Sequence, residues 1–126
     1  EGNSCGAGTT PGAGGGAFFW RAEPRLEACI VRGNRAARGA GLYFLDSTAD
    51  LEGNSLDSNE AAAPGAVLQG AGLAALGSRV LMHGDRIAGN AGASEGGGMY
   101  LERARAELDN ARLEDNAASA LDRITW

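Results

Sequence analysis

Apolar residues recur along the chain at fixed distances from asparagine. An aliphatic residue, two variable residues and an asparagine form VRGN, LDSN, IAGN and LEDN, at residues 31–34, 56–59, 87–90 and 113–116. A second apolar residue stands eight positions before each asparagine, and it is Leu26, Leu51, Met82 or Leu108. Around it, apolar and polar positions alternate, which is typical of a strand with one buried face. The pattern predicts four repeats of short strands joined by corners.

A glycine phrase with an apolar end precedes each asparagine phrase. These phrases are GGGAFFW, GAGLYFL, PGAVLQG and GGGMYLE, at residues 14–20, 39–45, 64–70 and 96–102. The interval to the asparagine is identical when it is counted from Gly16, Gly41 or Gly98, and it is seven positions longer from Gly65. The equal intervals indicate a repeat of strand, corner, strand, corner and strand. The seven additional positions predict a loop insertion at GAGLAALGSR, residues 70–79.

Repeats of this length and pattern predict an all-β fold, a single-stranded parallel β-helix in which equivalent residues stack about 4.8 Å apart. We expect about four to five coils of roughly 25 residues in one segment, residues 1–126. The coils are predicted at approximately 14–38, 39–63, 64–95 and 96–122. Neither end of the sequence supplies a cap, which predicts that the chain is a piece of a longer solenoid. The corner asparagines should hydrogen-bond along the axis; they are Asn34, Asn59, Asn90 and Asn116.

Two other folds fit the sequence less well. A leucine-rich repeat has a similar period, but five positions before the asparagine the chain has Cys29, Asn54, Asp85 and Ala111 in place of leucine. Residues 102–123 are rich in Ala, Leu, Glu and Arg and taken alone predict a helix. Leu108 and Leu113 nevertheless fall on the repeat, so strands are predicted there as well.

Composition excludes several classes of function. The net charge of −5 argues against a nucleic-acid surface, since phosphate contacts need clustered cations. The chain has no lysine and therefore no P-loop. No apolar run approaches the roughly 18–20 residues that a membrane-spanning helix needs. No motif for a cofactor occurs, so none is predicted. Cys5 and Cys29 permit one disulfide, although a free, apolar Cys29 within EACIV is the preferred interpretation.

The paired glycine and asparagine phrases resemble the repeat of the polymorphic outer-membrane proteins and, more broadly, the right-handed parallel β-helix families. The matching residues are Gly14 to Ala17 with Val31 and Asn34, Gly39 to Leu42 with Leu56 and Asn59, Gly65 to Val67 with Ile87 and Asn90, and Gly96 to Met99 with Leu113 and Asn116. The resemblance implies a right-handed, secreted or cell-surface scaffold, adhesin-like, whose partner is a carbohydrate or another surface protein. It also implies an alternative, part of a polysaccharide lyase or glycoside hydrolase.

One column of titratable residues stands out, seven positions before the asparagines: Glu27, Glu52, His83 and Asp109. These residues flank the inward apolar position and should point outward, as a solvated face that is at most a weak binding site. Glycoside hydrolysis needs two carboxylates about 5–9 Å apart in one groove. The other acids share no column, so no catalytic residue is predicted. His83 is the only histidine, so no metal site is predicted.

Aromatic residues form a further column, two positions after the glycine, at Phe18, Tyr43 and Tyr100. Facing outward, these rings would offer a platform on which sugar rings stack. Facing inward, they would belong to the core, and this is the preferred interpretation. The arrangement of the acids separates the two functional hypotheses: carboxylates from two coils converging in one groove favour an enzyme, and a single solvated column favours a scaffold.

Overall fold

The strands of the protein come in groups of three or four, one group for each repeat unit. The computed structural model describes residues 16–62 and 68–118, which form fourteen short strands and no helix. The first unit contains β1 (Ala17–Trp20), β2 (Arg25–Glu27), β3 (Ile30–Arg32) and β4 (Arg35–Ala36). The second unit contains β5 (Leu42–Leu45), β6 (Thr48–Glu52), β7 (Ser55–Asp57) and β8 (Glu60–Ala61). The third unit contains β9 (Leu73–Leu76), β10 (Arg79–His83) and β11 (Arg86–Ala88), and the fourth contains β12 (Met99–Glu102), β13 (Arg105–Asp109) and β14 (Arg112–Glu114).

Strands at equivalent places in successive units pair in parallel and build three four-stranded sheets. Their strand orders are β1-β5-β9-β12, β2-β6-β10-β13 and β3-β7-β11-β14, and β4 and β8 form a fourth, two-stranded sheet. Each of the three larger sheets therefore takes one strand from each unit, and consecutive strands lie in different sheets. The prediction of an all-β stack of parallel strands is confirmed.

The two apolar columns defined by the asparagine positions pair in register from unit to unit. Leu51 pairs with Leu26 and with Met82, which in turn pairs with Leu108. The other column pairs in the same way in the third sheet and contains Val31, Leu56, Ile87 and Leu113. Leu51, Met82 and the central residues of the second column are fully buried in one core cluster. Residues 105–109 and 112–114 are strands, so packing against the preceding unit overrides the local helix propensity there.

The segment 70–79, predicted as a loop insertion, is instead the first strand of the third unit and the corners beside it. Leu73 of β9 pairs with Leu42 and with Met99, and all four residues of β9 are buried. GAGL at 70–73 repeats GAGL at 39–42, and the interval from Gly72 to Asn90 equals that from Gly41 to Asn59. The predictions of an insertion here, and of PGAVLQG as the opening phrase of the third unit, are therefore wrong. The additional residues of this repeat lie between β8 and β9, where 63–67 are outside the described residues.

In the second, third and fourth units, the constant interval between glycine and asparagine reflects a direct packing contact. The last glycine of the phrase lies against the side-chain amide of the asparagine that closes the same unit. A Cβ atom on that glycine would lie 2.8–3.0 Å from the amide nitrogen in the pairs Gly41–Asn59, Gly72–Asn90 and Gly98–Asn116. Glycine is required because a Cβ atom would crowd the asparagine and, at Gly41 and Gly72, would approach the carbonyl oxygen of the equivalent glycine in the next unit still more closely, to 2.4 and 2.5 Å.

Replacing Gly72 tests this contact. In Gly72→Ala, the new methyl group would lie 2.5 Å from the Gly98 carbonyl oxygen and 2.6 Å from the Ile87 Cγ2 atom. Because backbone cannot move aside cheaply, we expect a loss of about 2–3 kcal/mol in urea unfolding. Gly84→Ala is the control: its Cβ meets nothing within 4 Å, and only the positive φ of 64° opposes it. That strain costs about 1 kcal/mol; equal losses in the two variants would contradict the packing argument.

Candidate functional site

The acidic column, defined as Glu27, Glu52, His83 and Asp109, lies on the outside of the second sheet. Its members end strands β2, β6, β10 and β13 and pair in register from unit to unit. Each follows a residue of the inward Leu/Met column, and strand alternation therefore turns its side chain outward. All four residues are exposed. The column exists as a spatial feature, and its role in binding remains a prediction.

Arg25 and His83 contact the carboxylates at the two ends of the acidic column. Arg25 donates a hydrogen bond to Glu52 at 3.0 Å and approaches the carboxylate of Glu27 to 3.8 Å. His83 Nδ1 lies 3.1 Å from Asp109 Oδ2. These side chains are all more than half exposed, so each pair contributes at most about 1 kcal/mol. The column is therefore a solvated ion-pair network whose like charges are offset by the protein's own cations.

The same pattern extends over the rest of the second sheet and the third sheet. Arg79 donates to Glu107 at 3.0 Å, and this hydrogen bond is the main reason that the pKa of the Glu107 carboxyl lies below its usual value. On the third sheet, Arg86 donates to Glu114 at 3.2 Å. Each of these pairs joins adjacent repeat units. The outer surface thus carries opposite charges distributed along the stack.

An open groove follows the corner between the first and second sheets. Asp46, Arg79, Arg103 and Arg105 contribute to its walls. Arg79 and Arg105 contact Glu107 at 3.0 and 3.3 Å, so two of the three arginines share one carboxylate. Asp46 is the one carboxylate that the described lining contains. The groove consequently lacks, among the described residues, the facing pair of acids on which glycoside hydrolysis depends.

Two buried serines beside this groove are engaged in structural hydrogen bonds. The Ser78 hydroxyl donates to the Leu76 carbonyl at 2.9 Å and accepts the backbone N–H of Ser47 at 3.0 Å. The Ser47 hydroxyl donates to the Leu45 carbonyl at 2.9 Å and accepts the N–H of Ala22 at 3.1 Å. Both hydroxyls therefore stabilise the corner, and neither is placed beside a base that could activate it as a nucleophile.

The corner asparagines form a continuous ladder through the four units. Asn59 donates its backbone N–H and its side-chain amide to Asn90 Oδ1, at 2.8 and 3.0 Å. Asn90 donates in the same manner to Asn116, at 3.1 and 2.9 Å, and Asn34 to Asn59, at 3.1 and 3.0 Å. The asparagine column thus has the predicted structural role, because each rung satisfies backbone and side-chain groups that the corner buries.

A second, shorter ladder at the preceding corner was not predicted. Asn54 Oδ1 accepts the N–H of Cys29 at 2.8 Å, and Asp85 Oδ1 accepts both the N–H and the side-chain amide of Asn54, each at 2.8 Å. Asp85 is only 1% exposed. Burial raises the pKa of its carboxyl above the ordinary value, against the opposing effects of the hydrogen bonds from Asn54 and of the nearby His83. The sequence signal for this ladder is polarity at the position five before the corner asparagine, in two of four units.

The aromatic column lies on the side of the first sheet opposite the main core, but Tyr43 and Tyr100 are buried in a second core cluster, so the preferred interpretation of these two rings as core residues is confirmed. Tyr43 and Tyr100 belong to a separate cluster with Ala74, whereas the residues on either side of them belong to the core. Both tyrosines are only 5% exposed, so they offer no open platform to a sugar. The rings of Phe18 and Tyr43 stack with centroids 5.0 Å apart. Burial, assisted by the hydrogen bond to Glu102, raises the pKa of Tyr100 to about 12.

Cys29 is disulfide-bonded, and the preferred interpretation of a free thiol is therefore wrong. The sequence contains one other cysteine, Cys5, which lies outside the described residues. Disulfides persist mainly in secreted and extracellular proteins. The bond therefore bears on the compartment in which the protein works.

Neither a metal site nor a membrane-spanning helix is found in the part of the chain that the structure describes. Within residues 16–62 and 68–118, no group of three or more His, Cys, Asp or Glu side chains could hold a metal ion. The same residues contain no helix of the length and apolarity needed to cross a bilayer. Comparison with family models, with curated proteins and with solved structures gives no match to this chain.

Proposed function

We propose that the chain is a segment of a right-handed parallel β-helix that serves as a non-catalytic scaffold in a secreted or cell-surface protein. The observation that carries this proposal is the state of the outer carboxylates. Glu52, Glu107 and Glu114 are exposed or half-exposed, and each pairs with an arginine of another repeat unit. A surface of dispersed, paired charges suits a soluble support, whereas hydrolysis needs two carboxylates converging on one bond.

The parallel ladders support the β-helical part of the proposal. Each unit contributes one strand to each of the three main sheets, so the chain passes through the sheets in turn before it returns to the first. A connection that returns to a parallel strand of the same sheet is right-handed in nearly all proteins. Winding of this kind lets every unit bury its apolar face against its neighbours, as repeat architectures require.

The secreted or surface location is supported by the disulfide at Cys29. Cytosolic thiols are kept reduced, so a structural disulfide favours an oxidising compartment outside the cytosol. An extended ion-paired face exposed to solvent is compatible with such a location. The adhesin-like role follows from the resemblance of the glycine and asparagine phrases, and its partner would be a carbohydrate or another surface protein.

Two measurements test the scaffold proposal. The purified chain should release neither new reducing ends nor unsaturated products from a panel of acidic and neutral polysaccharides. On intact native cells, an antibody against the chain should label the surface or the secreted fraction. Turnover that disappears in an Asp46→Asn or Glu52→Gln variant would replace the scaffold by the enzyme alternative. Detection in the cytosol alone would refute the proposed location.

The acidic column is the part of this surface that we propose for weak ligand contact. Glu52→Gln and Asp109→Asn should reduce binding to glycan arrays or to cell surfaces if the column takes part. Glu114→Gln is a matched control, because Glu114 is also paired with an arginine but lies on the third sheet. Equal binding by all three variants and the unmodified chain would assign the column a purely solvating role.

A further inference from the structure

One oxygen of the buried polar ladders has no hydrogen-bond partner. Asp85 lies at the corner between β10 and β11, where its Oδ1 atom accepts two hydrogen bonds from Asn54. Its Oδ2 atom is buried and unpaired. A buried acceptor without a donor costs free energy, and more so when it carries charge. The second ladder is therefore incomplete at this rung.

The asparagine rungs show which hydrogen bond is missing. In each of them the side-chain nitrogen occupies the place of Asp85 Oδ2 and donates to a backbone carbonyl of the preceding unit. The distances are 2.9 Å from Asn54 to Leu26, 3.0 Å from Asn59 to Val31, 3.0 Å from Asn90 to Leu56 and 2.8 Å from Asn116 to Ile87. Leu51 pairs with Leu26 in the register of the second sheet. At Asp85, the backbone carbonyl in the equivalent place is therefore that of Leu51. An ionised Asp85 carboxylate would put a second acceptor next to this carbonyl oxygen.

We propose that Asp85 is a proton-binding site built into the stack. A proton taken from solvent onto Oδ2 turns that atom into a donor to the Leu51 carbonyl, and the second ladder then has the hydrogen bond that asparagine supplies elsewhere. Release of the proton restores two facing acceptors in a buried corner. The protonated carboxyl is neutral, so this form also avoids a buried charge.

The charged groups around this corner do not replace the proton. On its own unit, Asp85 is flanked by His83 and Arg86; on the preceding unit by Glu52 and Asp57; and on the following unit by Asp109 and Arg112. Each of these residues is exposed or half-exposed. His83 favours the ionised form of Asp85 through its backbone N–H and, to a smaller extent, through the charge of its side chain. This influence is weaker than desolvation, so the net shift in the pKa of Asp85 is upward.

The direction of the pH effect follows from this upward shift. The folded state holds the proton more tightly than the unfolded state, whose carboxyl titrates near the ordinary value of 3.8. The stabilisation is complete below that value and is lost as the pH rises through the folded pKa of Asp85. Asp85→Asn carries a permanent donor and does not titrate. The thermal unfolding midpoint of the variant should therefore exceed that of the unmodified protein by the largest amount at neutral pH.

The test compares thermal unfolding of the unmodified protein and Asp85→Asn between about pH 3 and pH 7. A second pair of proteins, His83→Gln alone and His83→Gln with Asp85→Asn, repeats the comparison without the electrostatic effect of the His83 side chain on Asp85. We expect the midpoint of Asp85→Asn to be about 3–6 °C higher at pH 7, with the difference closing toward pH 3. Asn116→Asp is a reciprocal variant that places a carboxylate on the last described rung of the other ladder, and its midpoint should fall as the pH rises. A difference that does not change with pH, or a lower midpoint for Asp85→Asn, overturns the proposal.

A second measurement keeps the test independent of how the variant folds. The carboxyl carbon resonance of Asp85 in the unmodified protein reports its titration directly by NMR. A midpoint above 3.8 is expected. A midpoint at or below that value would show that Asn54 and His83 stabilise the ionised carboxylate of Asp85 fully, and it would overturn the proposal.

Discussion

Leu56→Asp should abolish the cooperative unfolding transition of the protein. Leu56 is fully buried in β7, between Val31 of the preceding unit and Ile87 of the following one. The substitution removes a core side chain, at a cost of about 2–5 kcal/mol, and places a carboxylate where no donor is available, which costs several kcal/mol more. Domains are stable by only about 5–15 kcal/mol, so the sum removes most or all of that margin. Far-UV circular dichroism during heating would show the loss.

Ser55→Asp provides the matched control for this variant. Ser55 precedes Leu56 in the same strand, and its side chain points to the outer side, where Arg86 is its neighbour in register. A new carboxylate there remains solvated, so the stability should change by no more than about 0.5 kcal/mol. If Leu56→Asp melted at the same temperature as Ser55→Asp, the register of β7 would be incorrect.

The columns inside the stack were predictable because the fold converts sequence period into spatial position. Once Asn59 and Asn90 are recognised as equivalent, every residue counted back from them acquires a neighbour in the next unit. Leu51 and Met82 therefore pair as predicted, and so do Glu52 and His83 in the acidic column. Local propensity is subordinate to this stacking, which explains the strands at 105–109 and 112–114.

The misplaced third unit shows where such counting fails. The interval between corner asparagines depends on the whole repeat, including the variable connection between units. The interval from glycine to asparagine depends on a physical contact and does not vary. PGAV resembles the other glycine phrases in sequence. The contact between Gly72 and Asn90 shows that GAGL is the equivalent phrase. The second glycine of GAGL has the same interval to its asparagine as Gly41 and Gly98. A motif interval that reflects packing is thus a better guide than a motif that resembles its neighbours.

The remaining features could not be predicted because the repeat alone does not determine them. Burial of the aromatic column depends on what covers the outer side of the first sheet, and alternation along a strand gives only the direction of a side chain. No other described unit has a cysteine at the position of Cys29, so the repeat gives no sign of its disulfide. Asp85 shares its ladder with a single asparagine, Asn54, and its unpaired oxygen becomes evident only from the geometry of the asparagine rungs.

Asn90→Ala should be the most destabilising change in the asparagine ladder. Asn90 is fully buried, and its side chain serves three neighbours. Its Oδ1 accepts the N–H and the side-chain amide of Asn59, and its nitrogen donates to Leu56 and to Asn116. Alanine leaves the Asn59 N–H and the Leu56 carbonyl buried without this partner. At about 1–3 kcal/mol for each such group, we expect a loss of about 3–5 kcal/mol in urea unfolding.

Asn116→Ala tests whether the loss of stability depends on burial of the asparagine, because the same substitution is made at a less buried rung of the ladder. Asn116 has the same contacts toward the preceding unit, since it donates to the Ile87 carbonyl and accepts from Asn90, but it is half-buried. Water can replace part of what its side chain supplies, so a loss of about 1 kcal/mol is expected. Asn90 contacts Gly72, and Asn116 contacts Gly98. In each variant the alanine side chain leaves an empty space beside this glycine, and the space contributes to both losses. If the two variants lost the same stability, burial of the ladder would not explain why an asparagine closes every repeat. The preference of asparagine for exposed turns would then have to explain it.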